Sequence, residues 1–252
     1  MLGAFSLRDL AFIAQGKSII DILISSAIQN YNLWTVASAN PNYRPGSTVI
    51  NVTVNANVGS TSGSTDAFAV PAAFTAGDEI FITNSATIIT KGGNGGQGSN
   101  GIQWTGQTPG ETIPAAAINA QFPISVTNNG TIAGGGGGGG AGGTFYGNPR
   151  RGGDGGGGGA GFTAGSAGIG GPPGPFAPGF PTSSGISGSS GTLTSGGAGG
   201  GVAGAGGGQG ADGSNGTAVS NPGTPGGTRG YYATGNPNIT WVVAGTRLGR
   251  VQ

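Results

Sequence analysis

Apolar and polar positions alternate with one period at the start of the chain and another further on. From residue 7 to 28 the apolar residues Leu10, Ile13, Ile20, Ile24 and Ala27 recur at spacings of three, four or seven, which predicts a helix with Ser6 as its N-cap and a kink at Gly16. Its flanks are almost as apolar, through Phe12, Ile19 and Leu23. A helix apolar over most of its circumference needs a cover, so Leu10, Phe12, Ile13, Ile20, Leu23 and Ile24 are candidate contacts for attachment to a partner protein. Packing on the chain's own strands is the plainer reading, and a trimeric seam through Leu10, Ile13, Lys17, Ile20, Ile24 and Ala27 is a third. Asp9, Lys17 and Asp21 interrupt the stretch, which argues against membrane insertion, and the basic start and cleavage site of a signal peptide are missing.

From residue 31 to 90 the period drops to two. Thr48 to Val58 reads TVINVTVNANV, and residues 79–84 and 86–90 continue in the same style, with turns at Pro41, Pro45-Gly46 and Gly77-Asp78. This predicts a small half-buried sheet with a core of Leu33, Trp34, Ile50, Val52, Val54, Phe68, Phe74, Ile80, Ile82 and Ile88. Thr83-Asn84-Ser85-Ala86-Thr87-Ile88 recurs as Thr127-Asn128-Asn129-Gly130-Thr131-Ile132, and each copy runs into a glycine tract. Such a repeat suits an elongated body. An ordinary strand returns at residues 239–243.

Composition enters where the pattern stops. The chain has 61 glycines among 252 residues, gathered into runs such as 134–140 and 155–159, and glycine with proline makes up about 30% of it. Glycine has no side chain to bury and loses the most backbone entropy on folding, so something other than an oily core must order these runs. Collagen's strict period of three is absent. Polyglycine-II helices, packed side by side so that their outward N–H and C=O groups serve one another, are the remaining ordered option for 92–101, 134–143, 152–161, 164–174, 196–216 and 222–230. The fold class expected is mainly β and irregular, with an N-terminal helix, a small β-sheet region and a polyglycine-II helix bundle. The expected units are 1–30 (attachment helix), 31–91 (β), 92–230 (glycine bundle with display loops) and 231–252 (C-terminal strand).

Chemistry is mostly excluded. Nine basic and eight acidic residues form no basic stripe, which leaves nucleic acid without electrostatic support. With no His and no Cys, the usual general base, thiol nucleophile and transition-metal ligands are missing, so no catalytic residue, cofactor or metal is assigned. Gly93-Asn94-Gly95-Gly96-Gln97-Gly98 fits a dinucleotide fingerprint, but such matches arise by chance in a chain so rich in glycine, and no helix follows. The segment 207–213 matches one calcium nonapeptide without its apolar anchor or stacked copies. Asp78 and Glu79 point to opposite faces of a strand and suit a solvated turn better than paired-carboxylate chemistry. The loops between the tracts hold what the tracts lack: Trp104, Phe145, Tyr146, Arg150, Arg151, Phe176, Phe180, Tyr231 and Tyr232. Aromatic faces stack on sugars and guanidinium forks bind phosphate or carboxylate, which makes these candidate contacts for a surface glycan or a protein loop. Capping the ends of the glycine bundle is the alternative role.

Asn30-Tyr31-Asn32-Leu33-Trp34-Thr35, the Val- and Asn-rich strands, the Thr-Asn-Ser-Ala-Thr-Ile lead-in, the glycine tracts, Ile239-Thr240-Trp241 and Gly245-Thr246-Arg247-Leu248-Gly249 together resemble glycine-rich bacteriophage tail proteins, nearest the adhesins that cap long tail fibres of T-even-like phages. The resemblance implies a non-enzymatic virion protein of the tail or tail fibre that attaches to another virion protein and recognises a host surface glycan or outer-membrane protein. Residues 103–107, 144–151, 172–185 and 231–236 then become candidate receptor-contacting loops. A non-adhesive structural or decoration protein of the virion and a glycine-rich cell-surface protein are the rival readings. Which loops share one end is left open by the sequence.

Overall fold

The computed structural model describes residues 7–99, 107–146, 150–173, 182–218 and 221–252. Eight residues form the first helix, α1 (Leu7–Ala14). It stops at Gly16, which lies at φ +74°; Gly16 N donates to Ile13 O at 2.9 Å and Lys17 N to Phe12 O at 3.1 Å. That paired closure is a Schellman stop, so Gly16 ends the helix rather than kinking it. The chain then enters β1 (Ser18–Ile24), SIIDILI, whose branched side chains suit a pleated surface. The expected helix to residue 28 is thus corrected, and Ile20, Leu23 and Ile24 lie on a strand.

Fourteen further strands and β1 wind into five stacked coils. The first contains β1, β2 (Ile28–Gln29) and β3 (Tyr31–Asn32), and the second β4 (Thr48–Val54), β5 (Val58–Gly59) and β6 (Phe68–Val70). The third contains β7 (Glu79–Asn84), β8 (Thr87–Ile89) and β9 (Ala116–Ala120). The fourth begins with β10 (Ile124–Asn128) and β11 (Thr131–Ala133); β12 (Phe145–Tyr146), β13 (Arg150–Arg151) and β14 (Thr182–Ser183) lie in an excursion from it, and β15 (Tyr231–Thr234) closes it. The fifth contains β16 (Ile239–Val243), β17 (Thr246–Leu248) and β18 (Arg250–Val251). Three five-stranded sheets result, in the orders β1-β4-β7-β10-β16, β17-β11-β8-β5-β2 and β18-β15-β9-β6-β3, with every pairing within them parallel.

Register carries the core. Ile22, Val52, Ile82, Val126 and Trp241 stand one above another on the first sheet, and Ile28, Val58, Ile88, Ile132 and Arg247 on the second. On the third, Phe68, Ile118 and Ala233 align. Most of these side chains are buried in one cluster. Burying them removes apolar surface from water, at roughly 25 cal/mol per Å². A corner cap covers one edge of the stack: α2 (Leu33–Ser38), N-capped by Asn32, carries Trp34, which meets Tyr43 and Phe74 edge to face at 5.5 and 5.1 Å. Residues 18–32, 48–89 and 231–251 all contribute strands to this one β-helix.

The fold class expected from sequence is therefore corrected: parallel sheets organise the chain, not a bundle of polyglycine-II helices, and the described glycine tracts carry no helix. The physical reason is that the short runs of β-branched residues, scattered as they are, stack into one continuous apolar interior once wound into coils. The glycine tracts leave the β-helix as two insertions, residues 90–115 in the third coil and 134–230 in the fourth. Within them, extended segments tie to one another through backbone bonds: Gly93 and Gly96 donate to Gly136 and Gly139, Gly136 and Gly139 to Ala160 and Gly157, and Gly156 and Gly159 back to Gly96 and Gly93, all at 2.7–2.9 Å.

Candidate functional site

The tracts that leave the β-helix have a near end and a far end. At the near end Phe162 N donates to Thr90 O, Thr163 Oγ1 to Ser60 O, and Gly134 N to Leu248 O. At the far end Gly153 N donates to Ser99 O, Gly143 N to Thr217 O, the Asn221 amide to Thr144 Oγ1, and Gln107 Nε2 to Gly142 O. The segments that border residues 99–107, 144–151, 172–183 and 217–221 therefore meet at one end, away from the stacked coils.

There β12 pairs antiparallel with β13, Phe145 opposite Arg151 and Tyr146 opposite Arg150. β13 pairs parallel with β14, Arg150 beside Thr182 and Arg151 beside Ser183. The small sheet joins two loops far apart in sequence, and Gly152 N donates to Ser183 O at 3.1 Å to continue it. Four of the expected contact residues, Phe145, Tyr146, Arg150 and Arg151, are thus brought together. The Arg151 guanidinium pairs with the buried Asp154 carboxylate. Trp104, Phe176 and Phe180 lie outside the described residues.

Tyr231 and Tyr232 lie elsewhere. They belong to β15 in the β-helix, where Arg250 stacks over Tyr231 at 4.1 Å, and Arg247 lies 4.7 Å from the Trp241 ring and 5.5 Å from that of Tyr232. Trp241 and Arg247 terminate the first two apolar ladders described above, so this group closes the last coil against water.

The residues expected to attach the chain to a partner divide as well. Ile20 and Ile24 are buried in the β-helix core, and Phe12 packs on Phe81 with ring centroids 6.1 Å apart. Leu10, Ile13 and Leu23 remain exposed, together with Leu7 at 88%. The helix is held on the outside of the first sheet by Arg8, which donates to Asn51 Oδ1 at 2.7 Å and covers the Phe81 ring at 4.2 Å. Lys17 pairs with Glu79 just beyond it.

Sequence reasoning missed Asp154, the carboxylate that interrupts a glycine run three residues after Arg151. The signal was present, since an Asp amid glycines has no apolar reason to be buried. The other flagged motifs have structural uses. Asp78 accepts from Tyr43 Oη at 2.7 Å, Thr75 N at 3.0 Å and Thr48 N at 3.2 Å, pinning a coil corner. Asp212 Oδ1 accepts from Arg229 N at 2.9 Å, and no cluster of three acidic or other metal-ligating side chains occurs among the described residues.

Comparison with known proteins fits this architecture. The chain is similar in fold to a chain in the crystal structure of the gp37-gp38 adhesin tip complex of the bacteriophage S16 long tail fiber, with a TM-score of 0.58 and 23% identity over 94% of this chain and 82% of that one. No curated protein sequence matches significantly. The phage tail fibre adhesin Gp38 family matches residues 19–252, which takes in all five coils and both glycine insertions. The chain therefore belongs to the phage tail fibre adhesin Gp38 family, non-enzymatic receptor-binding proteins of the virion's tail fibre.

Proposed function

We propose that this adhesin meets the host surface with the far end of its glycine body and is held on the fibre by its β-helix. The observation that carries the reading is the convergence of the segments flanking four sequence-distant loops at one end, where Tyr146 and Arg150 share a strand pairing. Aromatic rings and guanidinium groups on short strands at that end suit a surface glycan or an outer-membrane protein loop, since rings stack on sugars and forks bind phosphate or carboxylate. Extended glycine segments cross-tied through their backbones supply a stiff spacer that holds the loops clear of the coils.

The partner on the virion is another tail-fibre protein, and the similar fold seen in a complex at a fibre tip supports this. On this chain α1 supplies the contact: it buries none of its residues and turns Leu7, Leu10 and Ile13 outward. Beside it a groove of about 240 Å³ is lined by Ile13, Lys17, Ser18, Ile19, Asn42 and Arg44, and β1 is paired on one side only. An exposed apolar helix face next to an open strand edge is the chemistry of an assembly surface.

Adsorption of phage particles to host cells tests the receptor face. Tyr146→Ala and Arg150→Ala should each slow adsorption at least tenfold, and Tyr232→Ala should leave it unchanged once folding is matched. Wild-type adsorption by both far-end variants would overturn the reading in favour of a purely structural role.

A further inference from the structure

Beneath the far-end loops one carboxylate collects donors from several segments. Asp154 is 2% exposed. Its Oδ1 accepts from the Arg151 guanidinium and from Ile186 N at 2.7 Å, its Oδ2 accepts from Val202 N at 2.8 Å, and its own carbonyl accepts from Gly142 N at 3.0 Å. The side-chain donors come from three places: β13, the segment that follows β14, and the turn at 200–203. The fit is close, because a Cβ on Gly201, which lies at φ +43°, would stand 2.1 Å from Oδ2.

A buried carboxylate is costly unless its lone pairs are filled, and here they are filled by groups that belong to separate loops. Asp has a single methylene between backbone and carboxylate, so the positions of Arg151, Ile186 N and Val202 N are fixed relative to one another within hydrogen-bond tolerance. The same carboxylate holds the Arg151 guanidinium, next to Arg150 on β13, against the segment that follows β14 and the turn at 200–203. We infer that Asp154 is a positioning residue for receptor recognition. It does not touch the receptor, and it presets the relative placement of the far-end loops. The inference rests on the reading of that end as the receptor face.

The test uses the full chain and outer-membrane vesicles from the host strain. Asp154→Asn keeps the shape and removes the charge, whereas Asp154→Glu keeps the charge and shifts it by a methylene. Gly201→Ala displaces the carboxylate from the opposite side without altering it. Each of the three should speed dissociation from vesicles at least tenfold. Amide hydrogen exchange should quicken at Ile186 and Val202 while Gly136, Gly139 and the core strands keep their wild-type rates. Asp212→Asn, a tract carboxylate change at the near end, should change neither binding nor exchange at Ile186 and Val202.

Wild-type dissociation in Asp154→Asn and Asp154→Glu overturns the inference. So does quickened exchange throughout the glycine body, which would make Asp154 a general stabiliser. Tyr146→Ala and Arg150→Ala, measured alongside, separate the two readings. If they weaken binding and the Asp154 variants do not, the positioning role alone is wrong. If they also bind as wild type, the receptor face itself has been misassigned.

Discussion

Asn84 Nδ2 donates to Asn128 Oδ1 at 2.8 Å, and both side chains are fully buried. The two residues are 44 apart in sequence and stand one coil apart in space, at matched positions of β7 and β10. Asn128 extends the ladder, donating to Ala244 O and Thr246 O at 3.1 Å and accepting from Gly130 N at 3.2 Å. These bonds close the corners between the first and second sheets over three consecutive coils.

Asn128→Ala removes four hydrogen bonds, one buried and three part-buried, so it should destabilise the chain by about 2–4 kcal/mol. Asn84→Ala, which removes fewer bonds, should cost less. Urea unfolding of both variants checks the order, and equal stability for Asn128→Ala and wild type would refute the ladder's importance.

Close approach of tracts sets which glycines can change. A Cβ on Gly138 would lie 1.8 Å from Asn94 O, and one on Gly156 would lie 2.0 Å from Gly139 O, backbone atoms that cannot step aside. On Gly208 the nearest neighbour would be Thr194 O at 3.6 Å, an ordinary contact. Gly138→Ala and Gly156→Ala should therefore give poorly folded or markedly destabilised protein, while Gly208→Ala stays within about 0.5 kcal/mol of wild type. Thermal melts of the three variants decide the matter.

Two tyrosines make the β-helix alkali-sensitive. Burial pushes Tyr31 up to about 12, and burial together with the Asp78 hydrogen bond does the same for Tyr43. Both phenols ionise near 10 in an unfolded chain. A folded pKa above the unfolded one means stability that is complete below pH 10 and is lost as pH rises towards about 12. Chemical denaturation between pH 8 and 12 should show the decline. A flat profile across that range would count against both burials.

The same two residues should respond oppositely to loss of the hydroxyl. Tyr31 Oη is buried with no hydrogen-bond partner among the described residues, so Tyr31→Phe should stabilise by about 1 kcal/mol. Tyr43→Phe removes a donor to the buried Asp78 and should destabilise by about 1–2 kcal/mol. Midpoints of urea unfolding that move in the same direction for both would contradict this contrast.

The exposed face of α1 should matter to assembly and not to folding. Leu10→Asp with Ile13→Asp changes two outward side chains of a helix that buries none of its residues. The variant should keep its unfolding midpoint and yet be missing from purified particles. Normal incorporation of the double variant would move the fibre contact elsewhere on the β-helix.

Much of this was legible in one dimension. Val52, Ile82, Phe68 and Ile88 were readable as core because alternation along a strand needs no knowledge of its neighbours. The repeat of Thr-Asn and Thr-Ile pairs registered the stacking of β7 on β10 and of β8 on β11. The family's character was visible in the glycine tracts and the closing Gly245-Thr246-Arg247-Leu248-Gly249. The end of α1 was misread because Gly16 signals either a kink or a stop, and only a positive φ with its two closing bonds distinguishes them.

What the sequence by itself determined is therefore local: the strand periodicity, the lack of His and Cys, and the need for backbone-to-backbone order wherever side chains are missing. Tertiary structure alone decided that short strands from both termini join three parallel sheets, that Tyr231 and Tyr232 close the last coil, and that Tyr146, Arg150 and Asp154 come together far from it. The reason is that parallel pairing and tract-to-tract bonding link residues dozens of positions apart through main-chain groups that every residue carries, so composition holds no record of which partner each one finds.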